Sequence, residues 1–206
     1  MTHGYKSAMD WEQRWQDATT PWDAGVSPPT LTKLVADSAA LGRVLVPGCG
    51  AGYDVLTLAQ RAEVVVGLEV APTAQRRFDS LAAGVETTGS ATVVVADFFD
   101  FEPEARFDVI WDYTFLCALD PARRQAWAAR VDALLAPDGE LWTLIFPVHP
   151  VPLNPGRPPH PMSPELLRAL LEPTFAAIEL EPVTGSHPGR EGKEWFGRWR
   201  RPSRIE

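Results

Sequence analysis

The sequence predicts a doubly wound α/β fold: a mostly parallel sheet with helices on both faces, a C-terminal antiparallel hairpin at one side, and a helical arm in front. Three observations carry that expectation. From residue 43 onward, short β-branched runs alternate with stretches of helical period. The runs are apolar at nearly every position rather than at alternate ones, which suits strands covered on both faces. A glycine-rich turn joins the first run to the first helical stretch. At 206 residues the chain is long enough for one substantial core, with residues 1–41 as the arm and 42–206 as the core sheet of a single domain.

The arm comes first. Trp11 and Trp15 are four residues apart, so a helix through them puts both indoles on one face. Thr20-Pro21-Trp22-Asp23 breaks that helix with a third indole, and a second helix is expected from Pro28-Pro29 to Ala40. Strands are expected at 43–47 (RVLVP), 64–69 (VVVGLE), 91–96 (ATVVVA), 107–111 (FDVIW) and 140–146 (ELWTLIF). Helices fill the gaps at 53–61, 73–83 and 122–135, the last with a stripe of Trp127, Val131, Leu134 and Leu135. Residues 147–161 then carry seven prolines in fifteen positions, too many for a helix or a central strand, and loops of that length are usually functional. Ser163 with Pro164 at the first helical position opens a short helix to about Leu171. Strands at 175–183 and 195–200 close the chain.

Composition excludes several classes of function. The formal net charge of −8 argues against a phosphate-backbone partner, because nucleic-acid affinity rests on clustered Lys and Arg. Cys49 and Cys117 are far apart, which disfavours a disulfide scaffold or a four-ligand zinc site, and the scattered histidines support no metal site. No leader pattern or membrane-length apolar run is visible, so a cytoplasmic protein is expected, with no membrane partner and no feature demanding more than a monomer.

The chemistry concentrates after the strands. The first runs into Pro47-Gly48-Cys49-Gly50-Ala51-Gly52, where a Cβ would block both the tight turn and the close approach of a ligand to the backbone. Glu69 ends the second strand, where a carboxylate can accept hydrogen bonds from both hydroxyls of a ribose. Asp97 and Phe98 end the third, where an acid and an aromatic can hold an adenine; a turn cap by Asp97 competes with that reading. Two ligands share this layout. A dinucleotide wants glycine at the sixth position of the turn, where this chain has Tyr53. S-adenosylmethionine carries a sulfonium and an amino acid instead of a pyrophosphate, and aromatic faces favour the cation by about 0.5–2 kcal/mol. Trp11, Trp15, Trp22 and Tyr113 are candidates for that wall, with core or lid packing as the alternative for each.

Taken together, WEQRWQDATTPWD with Trp11, Trp15 and Trp22, VPGCGAGYD, GLEVA, ADFF, FDVIWDYTFLCAL and GRPPHPMS resemble the thiopurine S-methyltransferase superfamily along nearly the whole chain. The closest branch is the halide/thiol methyltransferases, because Asp112-Tyr113-Thr114-Phe115-Leu116-Cys117-Ala118 is similar to their D-Y-x-F-x-C-A segment. The resemblance implies a class I, Rossmann-like methyltransferase using S-adenosylmethionine. It implies that Trp11, Trp15 and Trp22 line the cofactor site and that Gly48 and Gly50 meet the methionine end. Glu69 then holds the ribose, Asp97 and Phe98 the adenine, with Asp112 also on the cofactor side, and Tyr113 borders the methyl-transfer pocket. Thiopurine enzymes commonly carry Arg where this chain has Tyr113, so the expected acceptor is a small thiol, hydrogen sulfide or a halide rather than a larger aromatic thiol. A nicotinamide-dependent oxidoreductase is the rival from another enzyme class, and a non-catalytic cofactor binder working through its Trp/Arg-rich hairpin is a third reading.

The expected mechanism is in-line displacement at the sulfonium methyl, in which positioning does most of the work and Tyr113 orients or polarises the nucleophile. Cys49 and Cys117 are read as space-fillers. His149 and His160 beside the proline loop, and still more His3 and His187, carry little weight.

Overall fold

A computed structural model describes residues 9–149 and 156–202. Seven strands form one sheet: β1 (Leu41–Pro47), β2 (Ala62–Glu69), β3 (Ser90–Val95), β4 (Phe107–Tyr113), β5 (Leu135–Ile145), β6 (Ala176–Pro182) and β7 (Trp195–Arg200), in the order β3-β2-β1-β4-β5-β7-β6. The first five run parallel, while β7 is antiparallel to both β5 and β6. The strand order reverses between β1 and β4, and in open sheets ligands bind beyond the carboxyl ends at such a switch point.

The helices are α1 (Trp11–Gln16), α2 (Pro29–Asp37), α3 (Tyr53–Leu58), α4 (Pro72–Ala82), α5 (Arg124–Leu134) and α6 (Pro164–Leu171). Asp10 caps α1 by accepting from the Gln13 N–H at 3.0 Å. The Ser163 hydroxyl caps α6 by accepting from the Leu166 N–H at 3.1 Å, as the Ser-Pro-Glu signal predicts.

Alternate residues of each central strand enter opposite layers, which is why the runs are continuously apolar. Leu45, Ile110 and Leu141 face Trp127 and Val131 of α5 and Leu167 and Leu171 of α6. Val44, Val46, Val109 and Trp111 face Leu31 and Val35 of α2, Val55 and Leu58 of α3, and Phe78 of α4. Sequence periodicity alone misassigns β3. It reads as covered on both faces, yet it lies at the sheet edge with Val94 and Val95 exposed, because only β2 pairs with it.

Several boundaries also move. β1 starts at Leu41, whose N–H reaches the Arg61 carbonyl at 2.8 Å, so α2 ends at Asp37 rather than Ala40 and Ser38 is already extended. Two short 3-10 turns, Leu116–Ala118 and Pro121–Arg123, occupy the approach to α5. β5 begins at Leu135, the expected end of the helix, because Leu135 pairs with Phe107 across a bulge. Of the proline-rich stretch, residues 150–155 lie outside the described residues, as does His3.

Candidate active site

The turn after β1 is built on left-handed glycines. Gly48 has φ +57° and Gly50 φ +54°, conformations costly for a residue with a Cβ. A Cβ on Gly48 would lie 2.4 Å from the Phe115 ring, and one on Gly50 would lie 3.3 Å from the Trp15 indole. The cradle is therefore narrow because aromatic side chains close over bare backbone.

Phe115 follows β4, and Trp15 belongs to the arm. Trp11 and Trp15 pack edge-on against Trp22, with ring centroids 5.2 and 6.2 Å apart, and the three surround Ala51, Ala71 and Ala74 beside the turn. Glu12 docks α1 on the first turn of α4: its carboxylate accepts from the Thr73 N–H at 2.9 Å and the Thr73 hydroxyl at 2.6 Å. Those bonds hold the Glu12 carboxyl below its ordinary value.

Glu69 is buried at the carboxyl end of β2. Its carboxylate accepts from the N–H groups of Gly50 (3.0 Å), Val70 (2.8 Å) and Ala71 (3.0 Å), so it stitches the glycine turn to the start of α4. Burial nevertheless raises its carboxyl above the ordinary value, the backbone donors opposing. A carboxylate offers about four lone-pair sites, which leaves capacity for a ligand hydroxyl.

At the end of β3 the Asp97 carboxylate accepts from the Phe99 N–H at 2.9 Å, the turn cap that competes with adenine binding. The Phe98 ring is taken up by the core, 2% exposed and edge-on to Phe99 and Phe115 at 5.2 Å each, so it presents little surface to a ligand. Asp112 is likewise committed inward. One of its oxygens accepts from the Leu116 N–H at 3.1 Å and the other from the Trp127 indole at 2.9 Å, and burial pushes its carboxyl up to about 6. Asp112 thus braces β4 against α5 from near the carboxyl end of β4.

Tyr113 ends β4 beside the switch point. Its hydroxyl donates to Glu194 at 2.6 Å and accepts from the Arg190 guanidinium, which also donates to the Trp22 carbonyl at 2.7 Å. Arg190 further lies over the Phe146 ring, 4.8 Å from its centroid. His187 stacks on the Tyr113 ring at 6.3 Å, and burial, followed by the Arg190 charge, lowers its basicity. Sequence reasoning missed Arg190 and Glu194 and underweighted His187. They reach the site because β7 runs antiparallel: its first residues, not its last, stand at the carboxyl edge of β5, with Trp195 opposite Ile145. No short-range motif marks them.

Burial disfavours the thiolate at both cysteines. Burial raises Cys49, with Glu69 adding to the rise, and pushes Cys117 up to about 12. No group of three or more candidate metal ligands occurs among the described residues.

This arrangement fits S-adenosylmethionine: bare backbone at positions where a Cβ would strike Phe115 or approach Trp15, a buried acid at the end of β2, and indoles over the turn. The description of thiopurine S-methyltransferase (TPMT) matches residues 6–196. The chain belongs to the thiopurine S-methyltransferase family. Among its relatives, the thiocyanate methyltransferase 1 of Brassica oleracea is 40% identical over 199 residues, covering 93% of this chain and 84% of that protein. The probable thiol methyltransferase 2 of Arabidopsis thaliana is 39% identical, covering 96% and 87%. The N-methyltransferase NodS from Bradyrhizobium japonicum WM9, solved with S-adenosyl-L-homocysteine, shares the fold at a TM-score of 0.72 and 20% identity, covering 93% of this chain and 98% of that one. The chain is accordingly an S-adenosylmethionine-dependent methyltransferase with the class I fold.

Proposed function

We propose that this family member methylates a small nucleophile, a thiol, hydrogen sulfide or a halide, beyond the carboxyl ends of β1 and β4. The observation that carries the reading is Tyr113, whose hydroxyl is fixed by two partners next to the switch point, under the tether from Arg190 to Trp22. The relatives named for thiocyanate and thiol methylation support the same acceptor class.

Gly48 and Gly50 offer backbone to the methionine end, Glu69 offers its remaining acceptor capacity to the ribose, and Trp11, Trp15 and Trp22 face the sulfonium. Asp97 is the candidate for the adenine amino group. The bound cofactor supplies an electrophilic methyl carbon. The protein's own part is positional: Tyr113 orients the nucleophile while the indole arm excludes water. On the other face of β4, Thr114, Cys117, Phe146 and Met162 line a void of about 10 Å³, room for no more than a water-sized group. Arm and sheet together form one catalytic domain, working in the cytoplasm as a monomer without nucleic-acid or membrane partners.

A headspace assay with purified protein, S-adenosylmethionine and a panel of halides and thiols tests the proposal. Volatile methyl products are expected, and Tyr113→Phe should lower kcat/KM by about 10-fold or more for at least one nucleophile. A preference for large heterocyclic thiols over every small nucleophile would overturn it, and unchanged kcat and KM in Tyr113→Phe would remove Tyr113 from the mechanism.

A further inference from the structure

Glu194 is a buried carboxyl group to which the mechanism above gives only the holding of the Tyr113 hydroxyl. It is 1% exposed, one oxygen accepts from Tyr113, and the other has no hydrogen-bond partner among the described residues. A buried carboxylate oxygen left without a donor is costly, so its persistence calls for a reason.

The proton inventory around Tyr113 supplies one. Arg190 has only donors, so the phenol oxygen accepts from it and the phenol proton is aimed at Glu194. One lone pair of the phenol oxygen remains. A nucleophile on that side meets an acceptor, which suits an S–H group and offers a halide no donor. We propose that Glu194, acting through Tyr113, takes up the proton lost by a neutral thiol, so that the site is built for S–H nucleophiles ahead of halides. This rests on the small-nucleophile reading above.

The step balances. The thiol sulfur forms a bond to the methyl carbon as the carbon–sulfonium bond breaks, and that electron pair stays on the departing sulfur. The S–H proton passes to the Tyr113 oxygen while the phenol proton moves to Glu194. No oxidant or other co-reactant is needed, and a halide has no proton for the relay.

The surroundings agree with a relay rather than with a phenolate base. Burial keeps the phenol proton on Tyr113 far above the ordinary range; Arg190 opposes this and Glu194 adds to it, so a proton can enter only as another leaves. The ionisable groups facing Tyr113 are Arg190, His187 and Glu194, and the Arg190 charge is also felt at Asp54 and Cys117. Glu194 is thus a positioning residue for the proton.

The test compares Glu194→Gln and Glu194→Asp with the native protein, using ethanethiol and iodide. Glu194→Gln should lower kcat for ethanethiol by about 100-fold, the scale of positioned proton transfer. Its thiol rate should climb with pH, tracking the thiol's own ionisation, and Glu194→Asp should recover part of the rate. Iodide has no proton for the relay, so its turnover should fall clearly less than that of ethanethiol and show no rescue by raised pH, and an unchanged denaturation midpoint reports an intact fold. Equal losses for ethanethiol and iodide, or an unchanged thiol pH profile, would overturn the relay while leaving methyl transfer in place. Absence of product from the native protein with both nucleophiles would overturn the small-nucleophile reading as well.

Discussion

Arg190 donates from one nitrogen to the Tyr113 hydroxyl and from another to the Trp22 carbonyl, joining the reacting end of the sheet to the arm that covers it. A planar fork can do this where an ammonium cannot, so lysine is no conservative substitute. Asp112 shows how burial at one residue becomes pH dependence of the whole. Its carboxyl rises from an ordinary 3.8 to about 6 because burial outweighs the Leu116, Trp127 and Phe115 donors. The folded state therefore holds this proton more tightly than the unfolded chain does. Its contribution to stability is fully present below about pH 4 and is lost as the pH rises through 6, a change of roughly 3 kcal/mol. Denaturant titrations between pH 4 and 6 should show a flatter loss of stability in Asp112→Asn than in the native protein. A residual slope from Glu69 and Asp54 should remain, since burial raises both. Identical slopes in the two proteins would refute this assignment.

At the scale of elements, α1 is six residues long and too short to be stable alone, so its helix depends on docking. Glu12 fastens it to the start of α4, and Trp15 buries its indole against Ala51, Ala71 and Ala74. Trp15→Ala should free the arm without unfolding the sheet. Amide exchange across 11–16 should accelerate and affinity for S-adenosylhomocysteine should fall by about 10-fold or more, while the main denaturation transition moves little. Loss of the whole cooperative transition would show instead that the arm is part of the core. β7 is the other decisive element. Inserted antiparallel beside β5, it delivers Glu194 and Arg190 to an edge that the parallel strands reach with their last residues.

For the whole molecule, net charge is −8, and no helix among the described residues is long and apolar enough to cross a membrane. Ligand linkage is the simplest global test. S-adenosylhomocysteine at 100 times its Kd should stabilise the native state by about 2.7 kcal/mol. For a chain of this size that raises Tm by roughly 5–10 °C. NADH should leave Tm unchanged, because the sixth position of the turn is Tyr53 rather than glycine. The reverse pattern would revive the oxidoreductase reading.

The α/β class, the strand–turn–helix frame around Gly48 and Gly50, the acid ending β2, the arm of three indoles and the family are all legible in the order of amino acids. Each of these is written in periodicity, turn residues or motif spacing among near neighbours. Long-range packing alone makes β3 an edge strand, buries Phe98 and Asp112, and brings Tyr113 to Arg190 and Glu194. Those contacts span 77 and 81 residues and follow from strand order and from the reversed direction of β7, which local propensity does not encode.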